Sequence, residues 1–140
     1  MPYAAKNNIG LIARVPLDEG GLTGKFTTST QFSDGDFRRQ YFNPDHLAQL
    51  VSRTNALKKL LGNEAQDLVE LSLRYLLSWD AVSTVIPGMR KVSYVKSNTS
   101  VSDGRKLSAK LLAELKNHAW ERNFYSGLDP ALKDYNFVEL

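Results

Sequence analysis

The chain has 140 residues, of which 42% are hydrophobic and 24% are charged, and its formal net charge is +3. This length suits one domain with a hydrophobic core, and the composition is typical of a soluble globular protein rather than a disordered or membrane-spanning one. The sequence contains no cysteine, which excludes disulfides, thiolate metal ligands and a cysteine nucleophile. Without a long apolar run or the pattern of a signal peptide, a cytoplasmic location with no membrane partner is predicted.

The first predicted strand lies near the N-terminus. It is the mostly apolar run formed by Ile9, Leu11, Ile12, Ala13 and Val15. Such a run suggests a buried strand, which ends at Pro16-Leu17 and passes into a flexible glycine-rich loop, GGLTG, at residues 20–24. A phosphate-binding P-loop is rejected here, because Glu19 and Phe26 stand where that motif needs glycine and Ser or Thr.

The middle of the chain predicts a long loop followed by two helices. Residues 27–43 are polar with scattered aromatics, and Asp34-Gly35-Asp36 reads as a turn rather than a calcium site. Asn43 is expected to cap a helix that ends at Gly62, and Asn63 to start the next one. His46 has no second candidate ligand nearby, so we expect a surface residue and no metal.

The stretch from Val82 to Asn98 combines a β-branched run, a Pro-Gly turn and a basic helical segment. The run predicts a strand buried on both faces of a parallel sheet. A glycine at position 88 allows positive φ or close approach to a ligand. The helix that follows is expected to turn Val92 and Val95 inward, with Tyr94 as a further candidate for that face. On pattern alone, an anion site and an ordinary strand-to-helix turn are equally supported.

Charge is concentrated after this turn. Between Met89 and Lys110 the chain has one acid, Asp103, and a larger set of basic residues: Arg90, Lys91, Lys96, Arg105, Lys106 and Lys110. This excess suits a phosphorylated small molecule or a nucleic-acid backbone, although solvated helices often carry such lysines. A last helix, capped by Ser108, is predicted to run to about Phe124, and an aperiodic tail follows it.

Three segments together resemble the C-terminal part of an aldo-keto reductase: residues 9–25 (IGLIARVPLDEGGLTGK), 64–90 (EAQDLVELSLRYLLSWDAVSTVIPGMR) and 107–115 (LSAKLLAEL). The joint occurrence of Pro-Leu-x-x-Gly-x-Leu-Thr-Gly-Lys, Val-Ile-Pro-Gly-x-Arg and a later Leu-Ser carries the resemblance. It implies an α/β fold: a C-terminal fragment of a (β/α)8 TIM barrel, helix-rich with about two short parallel strands. Residues 1–140 would form a single segment containing strands seven and eight, their helices and the tail.

The resemblance also implies an NADP site. The family's loop after the seventh strand touches the cofactor pyrophosphate, which implies Val15, Pro16, Leu17 and Lys25, with Val15 replacing the usual serine. After the eighth strand, the adenosine and its 2′-phosphate would be held by six residues: Gly88, Met89, Arg90, Tyr94, Ser97 and Asn98. Tyr94 stands where the family usually has Gln or Arg, and Ser97 stands where it usually has Glu. Arg90 retains a guanidinium suited to a 2′-phosphate.

The catalytic Asp, Tyr, Lys and His of the family come from the first half of the barrel, and nothing in this sequence corresponds to them. His46 and His118 lie outside the matching motifs. The resemblance therefore implies an NADP-dependent reductase of aldehydes or ketones at family level and no catalytic residue in this chain, which alone should be inactive.

Two strands of an eight-stranded barrel would have unpaired edges and incomplete cover. The chain would then fold differently, pair with a second copy or the missing N-terminal half, or be a piece of a longer protein. A start at Met1-Pro2-Tyr3, inside the family pattern, favours truncation or a split reading frame.

Two other functions remain open on the sequence. A non-catalytic module that self-associates or binds a partner is the main alternative. Nucleic-acid binding ranks last, because no helix-turn-helix or aromatic-studded basic strand is present; no nucleic-acid partner is predicted.

Overall fold

The computed structural model describes residues 1–120 and Phe124 of the chain. Its elements follow one another as helices, a 3₁₀ helix and two strands: α1 (Pro2–Lys6), β1 (Leu11–Arg14), the 3₁₀ helix (Asp18–Thr23), α2 (Arg38–Tyr41), α3 (Pro44–Lys58), α4 (Leu68–Leu77), β2 (Val82–Ile86), α5 (Val92–Thr99) and α6 (Ala109–Lys116). In this part of the chain no helix is long and apolar enough to cross a membrane. The predicted tail, from residue 125 onward, lies outside the described residues.

The two strands pair in parallel and form a two-stranded sheet, as the sequence predicts. Leu11 is opposite Val82 and Arg14 is opposite Ile86, with one irregularity between Leu11 and Ile12. Because the strands are parallel, both carboxyl ends lie at the same edge of the sheet. The loops that follow the strands therefore start side by side.

The prediction that these strands are buried on both faces is wrong. Ile12 is 65% exposed and Ile86 is 52% exposed, whereas Val82 is buried and Val85 is half-buried. Exposure alternates along β1, where Leu11 and Ala13 are half-buried and Ile12 and Arg14 are exposed, but in β2 only Val82 and Val85 are covered. The sheet face that carries Ile12 and Ile86 is therefore uncovered toward the carboxyl ends of the strands. An apolar run shows that both faces of a strand are hydrophobic, but it does not show whether other residues of this chain pack against each face.

Local capping signals explain where the long helices begin. Asn43 caps α3, with its side-chain oxygen accepting a hydrogen bond from the His46 amide at 2.9 Å, as predicted. The second helix does not restart at Asn63. Asp67 caps α4 by accepting from the Glu70 amide at 2.8 Å, and Glu70 in turn accepts from the Gln66 amide at 2.8 Å. This reciprocal pair satisfies more backbone donors than Asn63 can, so the helix starts later.

Helices α5 and α6 differ from the predictions, α5 in which side chains are buried and α6 in where it ends. The helix of Val92 and Val95 does not turn these side chains inward: they are 73% and 40% exposed, and Asn98 is its buried residue. The Ser108 cap of α6 is confirmed by its hydrogen bond from the Leu111 amide, but the helix ends at Lys116 rather than near Phe124. Two short helices, α1 and α2, lie where no helix is predicted.

In the residues that the structure describes, the core consists of two separate clusters of buried side chains. One joins the end of α2 to α3 and Phe124, and comprises Tyr41, Phe42, Leu47, Leu50 and Phe124. The other joins α4 to α6 and comprises Ala65, Leu68, Leu71, Leu107 and Leu111. The second cluster includes Leu68 and Leu71 of α4, and α4 in turn contacts both β2 and the 3₁₀ helix.

A buried guanidinium connects α4 to the segment between α5 and α6. The Arg74 side chain is only 4% exposed and contacts both Glu70 and Asp103, with donor–acceptor distances of 2.7–2.9 Å. It also donates to the backbone oxygen of Arg105 at 3.0 Å, while the Arg105 side chain binds Glu70 at 2.7 Å. We call these four residues the Arg74 clamp.

The clamp also sets the charge states of its acids. The Arg74 side-chain hydrogen bond, with the Arg105 amide, holds the pKa of the Asp103 carboxyl well below its usual range. Burial raises the pKa of Glu70, but hydrogen bonds from the Gln66 amide and from Arg74 outweigh it, and the pKa lies below its ordinary value. Both acids are therefore ionised partners of Arg74 at neutral pH.

Replacing Arg74 with methionine should destabilise the protein, because two carboxylates lose their buried partner. We expect the Arg74→Met variant to lose about 3 kcal/mol of unfolding free energy in urea denaturation. Arg39→Met is the matched control, since Arg39 pairs with Asp34 at the exposed surface and should contribute about 0.5 kcal/mol or less. Equal losses in the two variants would contradict the clamp.

Acid should weaken the clamp through Asp103. A carboxyl whose pKa is lower in the folded state stabilises that state above its unfolded pKa of about 3.9, and this stabilisation disappears as the pH falls further. The urea midpoint of the unaltered chain should therefore fall more steeply below about pH 4 than that of Asp103→Asn. If the urea midpoints of the two proteins fall equally steeply below about pH 4, Asp103 is excluded as a source of the pH dependence.

Candidate functional site

The site predicted from sequence lies at the carboxyl edge of the sheet, where the two loops emerge. Arg14 and Ile86 are paired at the ends of β1 and β2. The first loop continues from Val15 and the second from Pro87. Polar and charged groups on the two loops are thus brought to one edge, which is where active sites form in parallel α/β folds.

The first loop contains the 3₁₀ helix and several residues with positive φ. Val15 has a φ of +50°, which is strained for a β-branched residue, and Pro16 after it is buried. Gly24 has a φ of +68°, and a Cβ there would lie 2.8 Å from Lys58 Cε and 2.9 Å from a Leu68 methyl. Lys58 Nζ donates to the Gly24 oxygen at 2.9 Å. The ends of α3 and α4 therefore define the path of this loop into Lys25.

A second tie holds the middle of the first loop. Tyr41 Oη donates to Asp18 Oδ1 at 2.7 Å, which joins the start of the 3₁₀ helix to the end of α2. Tyr41 belongs to the buried aromatic cluster. The long polar loop at residues 27–43 therefore has a structural role, because it returns Tyr41 to the glycine-rich segment.

The second loop is held by a buried amide. Asn98 Nδ2 donates to the Gly88 oxygen at 3.2 Å, and Ser97 Oγ lies 3.5 Å from Asn98 Oδ1. Gly88 does not have a positive φ, and a Cβ there would meet no atom of the described residues within 4 Å. Of the two reasons considered for a glycine at position 88, positive φ is therefore wrong, and open space for a ligand is left.

Cationic side chains lie on and near the second loop, and two of them contact the same aromatic ring. Met89, Arg90 and Lys91 are exposed, and Tyr94 is half-buried. Lys25 Nζ from the first loop lies 5.6 Å from the centroid of the Tyr94 ring, and Lys91 Nζ lies 5.7 Å from it. Lys25 and Tyr94, two residues predicted from different motifs, are therefore in contact.

The other predicted residues lie on cavity walls. Val15 and Pro16 line a cavity of about 440 Å³, whose wall is otherwise mainly apolar side chains of α3, α4 and α6. Met89 and Asn98 line a cavity of about 150 Å³ beside β2. Leu17 is half-buried and begins the 3₁₀ helix. The predicted residues thus form two groups at one edge, linked by the contact between Lys25 and Tyr94.

The two loops carry the exposed cations Lys25, Arg90 and Lys91, and the first loop also carries the acids Asp18 and Glu19. Asp80 and Asp103 flank the second loop in sequence and have lowered pKa values. Asp80 pairs with Lys106 and Asp103 pairs with Arg74, so neither acid pairs with a cation of the two loops. No group of three or more His, Asp or Glu that could hold a metal occurs among residues 1–120 and Phe124. His46 has structural contacts: it stacks on Phe124 at 3.7 Å, and its Nδ1 lies 2.8 Å from the Tyr41 oxygen.

Comparison with known proteins identifies the family. The model of the aldo/keto reductase family matches residues 1–119. The chain belongs to the aldo/keto reductase family. This agrees with the resemblance drawn from the strand, loop and helix motifs, and it supports an oxidoreductase at family level.

Individual relatives match at moderate identity. The chain is 30% identical over 120 residues to the uncharacterized oxidoreductase YqkF of Bacillus subtilis, covering 84% of this chain and 37% of that protein. It is 28% identical over 100 residues to the NADP(+) aldo-keto reductase yakc of Schizosaccharomyces pombe, covering 70% of this chain and 29% of the relative. The chain therefore spans about a third of the length of the curated relatives it matches.

The fold also matches that of a solved glycerol dehydrogenase. A glycerol dehydrogenase of Gluconobacter oxydans superposes with a TM-score of 0.73 at 24% identity, covering 84% of this chain and 36% of that one. This similarity concerns the fold alone. It agrees with the parallel pairing of β1 with β2 and with the helix-rich composition of the described residues.

Sequence reasoning missed three residues that organise this edge. Lys91 appears only as part of the basic excess, yet it contacts Tyr94 three residues later on the same helical side. Lys58 and Tyr41 hold the first loop from distant elements. The local signal for Lys91 is a lysine three residues before an aromatic residue at a helix start. The roles of Lys58 and Tyr41 depend on tertiary structure.

The strained Val15 gives a test of the first loop. Asparagine tolerates positive φ better than valine, so we expect Val15→Asn to raise the unfolding free energy by about 1 kcal/mol in urea denaturation. Val92→Asn is the control, because Val92 is exposed on a helix and should change stability little. A destabilised Val15→Asn protein would show that valine packing outweighs the backbone strain.

Proposed function

We propose that this chain forms the part of an aldo-keto reductase that holds the adenosine-phosphate end of NADP. The observation that carries the proposal is the meeting of the two loops at one sheet edge, with Lys25 over the Tyr94 ring. The predicted pyrophosphate residues Val15, Pro16, Leu17 and Lys25 lie on one loop. The predicted adenosine residues lie on the other: Gly88, Met89, Arg90, Tyr94, Ser97 and Asn98.

The residues present fit such a ligand. Three cations, Lys25, Arg90 and Lys91, are exposed at the edge, and phosphates are the natural partners of such a set. Gly88 has open space beside it, and the Asn98 amide fixes the position of its carbonyl. When bound, NADPH supplies a hydride for carbonyl reduction. The described residues would bind and orient it, since none of them forms a paired acid and base at this edge.

The chain alone should not reduce aldehydes or ketones. A general acid for the carbonyl would need a tyrosine beside a lysine or another group that lowers its pKa. Tyr94 does lie near two lysines, but it belongs to the proposed adenosine end, distant from the reacting end of the dinucleotide. The catalytic groups of the family are therefore proposed to come from the barrel half that this sequence lacks.

Fluorescence titration tests cofactor binding by the full chain. NADPH should give a saturable signal, and Arg90→Ala should weaken NADPH binding about tenfold while affecting NADH less, because only NADPH carries the 2′-phosphate. Arg39→Ala is the matched control, since Arg39 pairs with Asp34 elsewhere. Absence of a saturable signal with either nucleotide would remove the cofactor proposal for this chain.

Self-association is the second candidate function, and the uncovered sheet face favours it. Ile12 and Ile86 are exposed on the same sheet face, opposite Thr84 and Arg14 respectively, and burying such a face stabilises an assembly. The partner would be a second copy or the missing barrel half. Sedimentation of the chain should then show a species larger than a monomer that dissociates in Ile12→Asp; a monomer at all concentrations excludes self-association.

A further inference from the structure

The tripeptide Ser-Asp-Gly occurs twice in this chain, at residues 33–35 and 102–104. In both copies the glycine has a positive φ, +82° at Gly35 and +79° at Gly104. A Cβ at either glycine would meet no atom of the described residues within 4 Å. The two copies are therefore matched in local sequence and in the conformation of the glycine, and they differ in what holds the aspartate carboxylate.

The carboxylate of Asp103 is held at both of its oxygens. Arg74 donates to Oδ1 at 2.7 Å and to Oδ2 at 2.9 Å, and the Arg105 amide donates to Oδ1 at 2.9 Å. The Asp103 side chain is 44% exposed, but the guanidinium that binds it is buried. A bidentate pair with arginine fixes both the orientation and the charge of a carboxylate. Asp103 is thus immobilised by the Arg74 clamp.

The carboxylate of Asp34 is held much more weakly. Its side chain is 94% exposed, and among the described residues it pairs with Arg39, whose side chain is itself 64% exposed. Exposed pairs of this kind contribute little, because water competes for both partners. The Ser33 oxygen accepts a hydrogen bond from the Asp36 amide at 3.1 Å, so Asp34 and Gly35 occupy the centre of an exposed turn.

An aspartate that precedes glycine can react with its own backbone. The glycine amide nitrogen attacks the side-chain carboxyl carbon, a new C–N bond forms, and one carboxyl oxygen leaves as water, which gives a cyclic succinimide. Water then opens the ring. Attack at the α-carbonyl yields isoaspartate, in which the main chain runs through the side-chain carbons, whereas attack at the other carbonyl restores aspartate. The first step requires a protonated carboxyl that is free to rotate onto the amide.

We infer that Asp34-Gly35 is a site of spontaneous isoaspartate formation in the folded protein and that the Arg74 clamp protects Asp103-Gly104 from the same reaction. Asp34 is exposed and can rotate onto the Gly35 amide, whereas both oxygens of Asp103 are held. Arg74 also holds the pKa of the Asp103 carboxyl well below its usual range, so the protonated form that reacts is rare there.

Isomerisation at this position acts on the segment that leads into α2. The main chain gains one methylene, and the carboxyl group moves away from Arg39. Asp36, two residues later, accepts a hydrogen bond from the first amide of α2 at 3.0 Å, and α2 ends at Tyr41, which binds Asp18. The modification site therefore lies in the segment that joins the glycine-rich loop to the buried aromatic cluster.

Peptide mapping of the full chain tests this inference, because trypsin separates the two sites. Cleavage after lysine and arginine releases residues 26–38 and 97–105, each with one Asp-Gly step. After prolonged ageing of the folded chain at neutral pH, isoaspartate should accumulate about tenfold faster in residues 26–38, since hydrogen bonds to a charged group restrain the carboxylate in the other peptide. In urea the two peptides should isomerise at equal rates, because their local sequences match.

Two variants assign the difference to the clamp. Arg74→Met should raise the rate in residues 97–105 toward the rate in residues 26–38. Arg39→Met is the matched control at an exposed pair, and it should leave both rates nearly unchanged. Circular dichroism verifies that each variant is folded during ageing. The comparison of the folded and urea-treated unaltered chain decides the inference even where Arg74→Met fails to fold.

Three results would overturn the inference. Equal accumulation in the two peptides of the folded chain would show that the clamp gives no protection, and faster accumulation in residues 97–105 would reverse the assignment. A folded chain without isoaspartate in residues 26–38 would show that Asp34 is protected as well. No cofactor takes part in this reaction, so its outcome is independent of NADP binding.

Discussion

The burial of one guanidinium constrains more of this molecule than any other polar contact described. A cation taken out of water requires matched acceptors, and Arg74 obtains them from Glu70, Asp103 and the Arg105 backbone. These acceptors come from two segments, so the segment after α5 must lie against α4. Because α5 carries Asn98 and Tyr94, a charge requirement distant from the sheet edge determines where the second loop can be.

The candidate site differs from this clamp in its electrostatics. In the clamp every charge has a partner, and the pKa of Asp103 is strongly lowered. On the two loops at the sheet edge, by contrast, the cations Lys25, Arg90 and Lys91 belong to none of the described ion pairs. Charged side chains are therefore paired in the Arg74 clamp, whereas the cations at the proposed ligand site are not in the described ion pairs. This separation is physically reasonable, since a site that is already neutralised has little electrostatic attraction for phosphate.

Sequence reasoning succeeded where the determining interaction is local. The β-branched run before Pro87 and the caps at Asn43 and Ser108 are predictable from neighbours in sequence, whereas the pairing of the two parallel strands is not local and is implied only by the family motifs. The start of α4 was misplaced because two capping signals, at Asn63 and Asp67, compete within one turn. The facing of Val92 and Val95 was misjudged because apolar residues at helical spacing do not reveal whether a partner surface exists.

The site itself was predicted residue by residue but not as an arrangement. Motifs placed Lys25 and Tyr94 in separate loops, and only the tertiary structure shows them in contact. Lys58 and Tyr41 could not be found from sequence, because their contacts with the first loop join residues 34 and 23 positions apart. Contacts of that separation depend on the path of the whole chain.

The parallel pairing of β1 with β2 has a consequence for how the chain acquires its structure. Leu11 meets Val82 only after the intervening 3₁₀ helix, α2, α3 and α4 have been accommodated. The entropy of closing so long a segment must be overcome before the strand hydrogen bonds contribute, so the helices between the strands are expected to form first. The loop edge, which exists only once the strands are paired, is therefore among the last parts to assemble during folding.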